Sequence, residues 1–172
     1  MKYFIAYMLT GEAKRGHDAV TEAVSETFGL SRPTPAHITL KRPFDTDRIE
    51  DIEDVLEKFS KFKKRAPIKL KGFGNFGRNV LFVNVFPSPA ADLLIRELDI
   101  MLKCVSWVRF GVFENPRRLH ATIVHKKVSS KFNKVWRFVS KGSFEFDVLL
   151  SSITVLKKEG GIWTIHKQYS LK

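Results

Sequence analysis

Cysteine is almost missing: Cys104 is the one thiol among 172 residues. A single thiol closes no internal disulfide and builds no cysteine-cluster zinc site, which points to a reducing, cytoplasmic setting. Long apolar runs are missing too. None approaches the roughly 18 residues of a membrane span. The longest early run, Tyr3–Leu9, has the length of a strand and carries no small-residue cleavage site, so neither a membrane partner nor a signal peptide is expected. Low-complexity tracts and an interdomain linker are also lacking, so one domain over residues 1–172, acting as a monomer, is the expectation. A chain of this length buries roughly 70% of its unfolded surface without a metal or disulfide staple. Acid is scarce in the last third. Residues 1–100 carry 16 basic and 14 acidic side chains, whereas residues 101–172 carry 14 and four. The net charge of +12 therefore sits almost wholly toward the C-terminus, as suits an anionic partner such as RNA or a nucleotide, or a solvated basic surface.

Hydrophobic periodicity divides the rest. Lys2–Leu9 reads as a buried strand, and Gly11–Phe28 as a helix stopped by Gly29. His37–Phe44 opens with strict alternation and reads as a strand. A helix is expected from about Asp47 to Phe62, capped by Asp45 or Thr46 and closing on Lys61, Lys63, Lys64 and Arg65, which complement its dipole. Pro67–Phe73 and Asn79–Phe86 read as strands, and Ser88 or Pro89 starts a helix to about Lys103. Leu119–His125 is the next strand, followed by a short helix from Ser129 or Ser130 to about Val139. Ser143–Leu149, Ser151–Leu156 and Ile162–Tyr169 close the chain as strands, the last two joined at Glu159-Gly160-Gly161. Interspersed helices with hairpins imply an α+β fold, bilobal, with two antiparallel sheets facing a central cleft and helices flanking them.

Gly72-Phe73-Gly74-Asn75-Phe76-Gly77 matches the dinucleotide-binding spelling G-x-G-x-x-G. That motif works only where it opens a helix, whose N-terminus faces the pyrophosphate. Here a strand follows, so the glycines are assigned to a hairpin and no dinucleotide cofactor is implied. No kinase signature accompanies them.

The chemistry sits in two repeats of one pattern. His37-Ile38-Thr39-Leu40 and His120-Ala121-Thr122-Ile123 both read His, apolar, Thr, apolar, one in each half of the chain. With five histidines and 21 Ser or Thr residues, roughly 0.1 such framed matches arise by chance, so a pair calls for a cause. In a strand, residues i and i+2 share a face about 7 Å apart. His37 with Thr39, and His120 with Thr122, therefore present two imidazoles and two hydroxyls to one cleft, while the apolar partners point to the core. A neutral imidazole can take a proton from an attacking water while a protonated one gives a proton to a leaving oxygen. The hydroxyls can donate to phosphate oxygens. Phosphodiester cleavage needs that acid and base pair and no metal. Which histidine is base and which acid stays open.

Paired motifs of this kind, one per half of a chain this long, resemble the 2H phosphoesterase superfamily. It includes the 2′-5′ RNA ligase-like proteins and the cyclic nucleotide phosphodiesterases. The resemblance extends over the opening strand and helix, the sequel Lys41-Arg42-Pro43-Phe44 and the closing Ile153–Leu171 stretch. It implies a bilobal fold, no cofactor, a metal-independent reaction on 2′,3′-cyclic phosphates or 2′-5′ linkages in RNA or nucleotides, and His37, Thr39, His120 and Thr122 as the catalytic set. Hydrolysis to a 2′-phosphate and ligation to a 5′-hydroxyl, giving a 2′-5′ bond, are the same chemistry with water or RNA as the nucleophile. A phosphodiesterase for 2′-5′ or cyclic oligonucleotides and a non-catalytic RNA-binding module are the alternatives. Around the motifs, Lys41 shares the face of His37 by parity and either contacts phosphate or stands in solvent. Phe44 either stacks on a base at the cleft mouth or packs in the core. Arg117 and Arg118 precede the second motif and either guide RNA or form a solvated loop. Family members carry a basic residue after the second motif, for which Lys126 is the candidate. His125 faces away from His120 by parity. His17 and His166 receive no role.

Overall fold

The computed structural model describes residues 1–31, 34–114, 118–125 and 127–172. Arg32, Pro33, Pro116, Arg117 and Lys126, on which some expectations fall, lie outside them. Among the described residues the order is β1 (Lys2–Met8), α1 (Gly11–Phe28), β2 (His37–Asp45), α2 (Ile49–Phe62), β3 (Ala66–Phe76), β4 (Val80–Pro87), α3 (Pro89–Lys103), β5 (His120–His125), α4 (Phe132–Val139), β6 (Glu145–Leu150), β7 (Ser152–Glu159) and β8 (Ile162–Ser170). A short 3-10 turn at Val112–Glu114 precedes β5.

The strands form two four-stranded antiparallel sheets, in the orders β2-β1-β7-β8 and β5-β4-β3-β6. Each motif strand is thus the edge strand of its sheet, and β2 and β5 touch across the interval between the sheets. The same construction precedes each: β1–α1–β2 in one sheet and β4–α3–β5 in the other, with the first and last member paired antiparallel. Helix α1 leaves the first sheet but packs on β5 and β6 of the second, tying the two halves together. Helix α2 covers β7 and β8. The core gathers the inward residues of both sheets with the helix stripes, among them Ile5, Leu40, Leu56, Leu81, Leu98 and Ile123.

Local chemistry explains the element ends. Gly29 takes the left-handed conformation (φ 62) that closes α1, its N–H donating to the Ser25 carbonyl. Ser88 caps α3 by accepting from the Ala91 N–H, with Pro89 in the first turn. Helix α2 begins at Ile49 rather than Asp47, because the Thr46 hydroxyl accepts the Arg48 N–H in a turn that delays the helix. Helix α4 begins at Phe132 rather than Ser129, since Val128 and Lys131 close a turn first. The glycine spelling lies within β3 and its turn into β4, with Gly77 at φ 56, and opens no helix. Lys61 pairs with Glu57 and Lys63 with Glu97, as suits a helix end.

Candidate active site

Both motif strands depart from regular pairing at the same place. In β2, Thr39 stands opposite Ala6 and Lys41 opposite Ile5, so Leu40 is an extra residue. In β5, Thr122 stands opposite Phe82 and Val124 opposite Leu81, so Ile123 is extra. Each is a β-bulge at the fourth position of the motif. The side-chain alternation breaks there: His and Thr at positions one and three are half-buried, and positions four and five are both buried. Position six, Arg42 or His125, returns to the cleft wall.

That shift overturns two expectations drawn from strand parity. Lys41 does not share the face of His37; its ammonium is buried, with 4% of its side chain exposed, and pairs with an equally buried Glu114 at 3.0 Å. It also donates to the Arg109 carbonyl (2.8 Å). The Glu114 carboxylate further accepts from the Arg42 and Gly111 N–H groups. And His125 faces toward the cleft rather than away from it.

The cleft has a volume of about 850 Å³, within the range that takes a nucleotide-sized ligand. It brings together His37, Thr39, His120 and Thr122. Arg118 also lines it, with its Nη2 donating to Asn84 Oδ1 (3.1 Å) and its guanidinium over the Phe82 ring. Phe44 is not in its wall: half-buried against Tyr3 and Trp107, it borders a smaller cavity that shares Arg42, Pro43 and Glu114 with the cleft. Sequence reasoning missed Arg42 and the aromatic side walls, Phe4 and Trp163 from the first sheet and Phe76 from the second.

The two imidazoles are held alike. Nδ1 of His37 lies 2.7 Å from the Pro35 carbonyl, and Nδ1 of His120 lies 2.9 Å from the Arg118 carbonyl. A carbonyl only accepts, so each Nδ1 carries the proton and each Nε2 is left as the lone-pair nitrogen. Aromatic rings brace both: Phe4 against His37 at 5.1 Å, and Phe76 and Phe82 against His120 at 4.9 and 5.0 Å. Burial lowers the His37 pKa to about 4, and the neighbouring imidazoles of His17, His120 and His125 push the same way against the Pro35 hydrogen bond. Burial also lowers that of His120, assisted by the charges of Arg118 and Arg42. The arrangement is reciprocal: Arg42 of the first motif strand acts on His120, and His125 of the second acts on His37. Two neutral imidazoles beside two guanidiniums can receive an anion and move protons at either side of it. Among the described residues, no three His, Cys, Asp or Glu side chains are grouped to hold a metal ion, and no helix is long and apolar enough to cross a membrane.

Comparison with solved structures finds the same fold. TT0787 of Thermus thermophilus superposes with a TM-score of 0.71 at 16% identity, covering 99% of this chain and 98% of that one. E. coli LigT complexed with NADP+ gives 0.66 at 14%, covering 99% and 97%. LigT complexed with 3′-AMP gives 0.62 at 14%, with the same coverage. A search of curated proteins by sequence finds no match. A family model does match, over residues 12–162, and its description is the 2′-5′ RNA ligase superfamily. That span holds both His-x-Thr motifs and all the strands but the first and last in full, and the chain accordingly belongs to the 2′-5′ RNA ligase superfamily of 2H phosphoesterases.

Proposed function

We propose that the chain is a metal-independent phosphodiesterase that opens 2′,3′-cyclic phosphate ends of RNA or nucleotides to a 2′-phosphate. The observation that carries this reading is the matched pair of histidines: both are tied through Nδ1 to a carbonyl two residues upstream, and both line one cleft with their threonines. A cyclic phosphate carries one negative charge, which Arg42 and Arg118 attract into the cleft. Thr39 and Thr122 donate to its non-bridging oxygens. Water attacks phosphorus and passes its proton to Nε2 of one histidine. The bond from phosphorus to the 3′ oxygen breaks, and the other histidine, protonated on Nε2, gives its proton to that oxygen. The imidazoles end with their protonation states exchanged, and solvent resets them.

The anion itself supports the second histidine's role. Burial makes both rings resist protonation, and a phosphate between them favours the charged form of one. The complexes of E. coli LigT with 3′-AMP, ATP and NADP+ agree with a nucleotide-sized occupant. Ligation follows the same path with a 5′-hydroxyl in place of water: that oxygen attacks phosphorus, the 3′ oxygen leaves, and a 2′-5′ bond results. The test is a substrate panel with product analysis. Adenosine 2′,3′-cyclic phosphate should yield the 2′-phosphate. Turnover confined to 2′-5′ linked oligonucleotides, or a 3′-phosphate product, would overturn this assignment.

A further inference from the structure

Surface cations on the other helices are largely matched by acids one turn away: Lys14 with Asp18, Lys61 with Glu57, Arg96 with Asp92. The segment from residue 115 onward breaks that habit. Residues 115–144 hold eight Lys or Arg and no Asp or Glu. This stretch contains β5 and α4. On and beside α4, Lys127, Lys131, Lys134, Arg137 and Lys141 are exposed. Such a density of one charge is repulsive unless an anion offsets it.

Two half-buried rings run along the same helix. Phe132 and Trp136 lie nearly parallel, at 7° with centroids 6.3 Å apart. The tip of the β3–β4 hairpin lies between them and the cleft, touching both. Phe76 lines the cleft and meets His120 edge-on at 4.9 Å. Two residues later, Arg78 lies over the Phe132 ring at 5.5 Å and donates to Asn133 Oδ1 and the Ser129 carbonyl. The path from His120 thus runs by Phe76 and Arg78 to Phe132 and Trp136, flanked by exposed cations. Aromatic faces interleaved with positive charge are what single-stranded nucleic acid uses, bases on the rings and phosphates on the cations.

We propose that this strip, from the hairpin tip along α4, binds the single-stranded RNA leading to the reacting end. The protein's preferred substrate is then an RNA strand rather than a mononucleotide. The proposal rests on the reading of the cleft as the place where an RNA end reacts, and deepens it. Lys134 and Arg137 lie outside the cleft and are suited to the test.

Two measurements separate the strip from the catalytic reading. The first is fluorescence anisotropy of a labelled decaribonucleotide bearing a 3′-phosphate, with wild type, Lys134→Glu/Arg137→Glu and Arg78→Ala. It needs no turnover. The double variant should raise the Kd about tenfold and flatten the salt dependence, each lost phosphate contact removing roughly 0.7 from the slope of log K against log salt. Arg78→Ala should weaken binding in the same direction while circular dichroism shows a folded chain. The second is turnover of adenosine 2′,3′-cyclic phosphate, which the double variant should leave within about twofold of wild type. Decamer binding unchanged in both variants would overturn the proposal. So would a wild type that binds the decamer no more tightly than 3′-AMP, or a double variant that loses affinity for vesicles of anionic phospholipid but not for RNA. Variant-sensitive RNA binding without any turnover would sustain the strip and sink the catalytic reading.

Discussion

Removing the Glu114 carboxylate should be among the most damaging single changes outside the histidines. Its side chain is 4% exposed, as is that of its partner Lys41. Both its oxygens lie 3.0 Å from the Lys41 ammonium. It also satisfies the N–H groups of Arg42 at 3.0 Å and Gly111 at 2.8 Å. Glu114→Ala strands a buried ammonium, which costs about 3–5 kcal/mol. For a domain of this size 1 kcal/mol corresponds to about 2–4 °C in Tm, so the fall should be roughly 6–20 °C. Adding Lys41→Met removes the stranded charge and should recover about half of it. The rest persists because two buried N–H groups still lack an acceptor. Calorimetry or thermal circular dichroism on the three proteins suffices. The pH dependence supplies a second arm. Burial would raise the Glu114 pKa, but the hydrogen bonds from Gly111, Arg42 and Lys41 outweigh it and hold the carboxyl below its ordinary value. A depressed carboxylate contributes stability that is present above the unfolded pKa of about 4.3 and lost as the pH falls through the folded one. Wild type should therefore lose stability below about pH 4.3 that Glu114→Gln has already lost. A Tm within about 3 °C of wild type for Glu114→Ala, or a double variant less stable than the single one, would refute the reasoning.

Arg42→Ala should raise KM for a cyclic phosphate by about 10–100-fold with a smaller change in kcat, the loss of a charge-assisted contact of roughly 1.5–3 kcal/mol; steady-state kinetics checks it. The profile of kcat/KM should peak on the acid side of pH 6.5. One histidine must be neutral and the other charged, and burial lowers both pKa values, that of His37 to about 4; an optimum at pH 8 would contradict this. Gly74→Ala should destabilise by about 1–3 kcal/mol in urea unfolding. An added Cβ would lie 2.5 Å from the Phe82 ring and 2.6 Å from Asn84 Oδ1, the atom that holds Arg118.

The elements were legible because each carries its own signal: alternation in β2, a 3.6-residue stripe in α2 and α3, glycine at the close of α1. The His-x-Thr motifs were legible because i and i+2 share a face in any strand, whatever it pairs with. The bulges were not. In β5 the one local sign is Ile123-Val124, two consecutive apolar residues that break the alternation; counting parity straight through them turns His125 away from the cleft it lines. In β2 the fifth position is Lys41, and its burial depends on Glu114, 73 residues away. Nothing local announces that pairing, so parity leaves Lys41 open to phosphate or solvent, whereas its ammonium is buried and Arg42 occupies the wall. The docking of α1 on the opposite sheet, and the convergence of Phe4, Phe76 and Trp163, are likewise long-range packing outcomes. Lys126 and Arg117 lie outside the described residues.

The central claim is that two histidines on matched bulged strands carry out the proton transfers without a metal. The most direct measurement is hydrolysis of adenosine 2′,3′-cyclic phosphate in excess EDTA by wild type, His37→Ala and His120→Ala, with 3′-AMP binding followed in parallel. The account predicts turnover that survives EDTA, falls by at least about a hundredfold in each variant, and leaves 3′-AMP binding within a few-fold of wild type. Turnover abolished by EDTA, or retained in either variant, would contradict it.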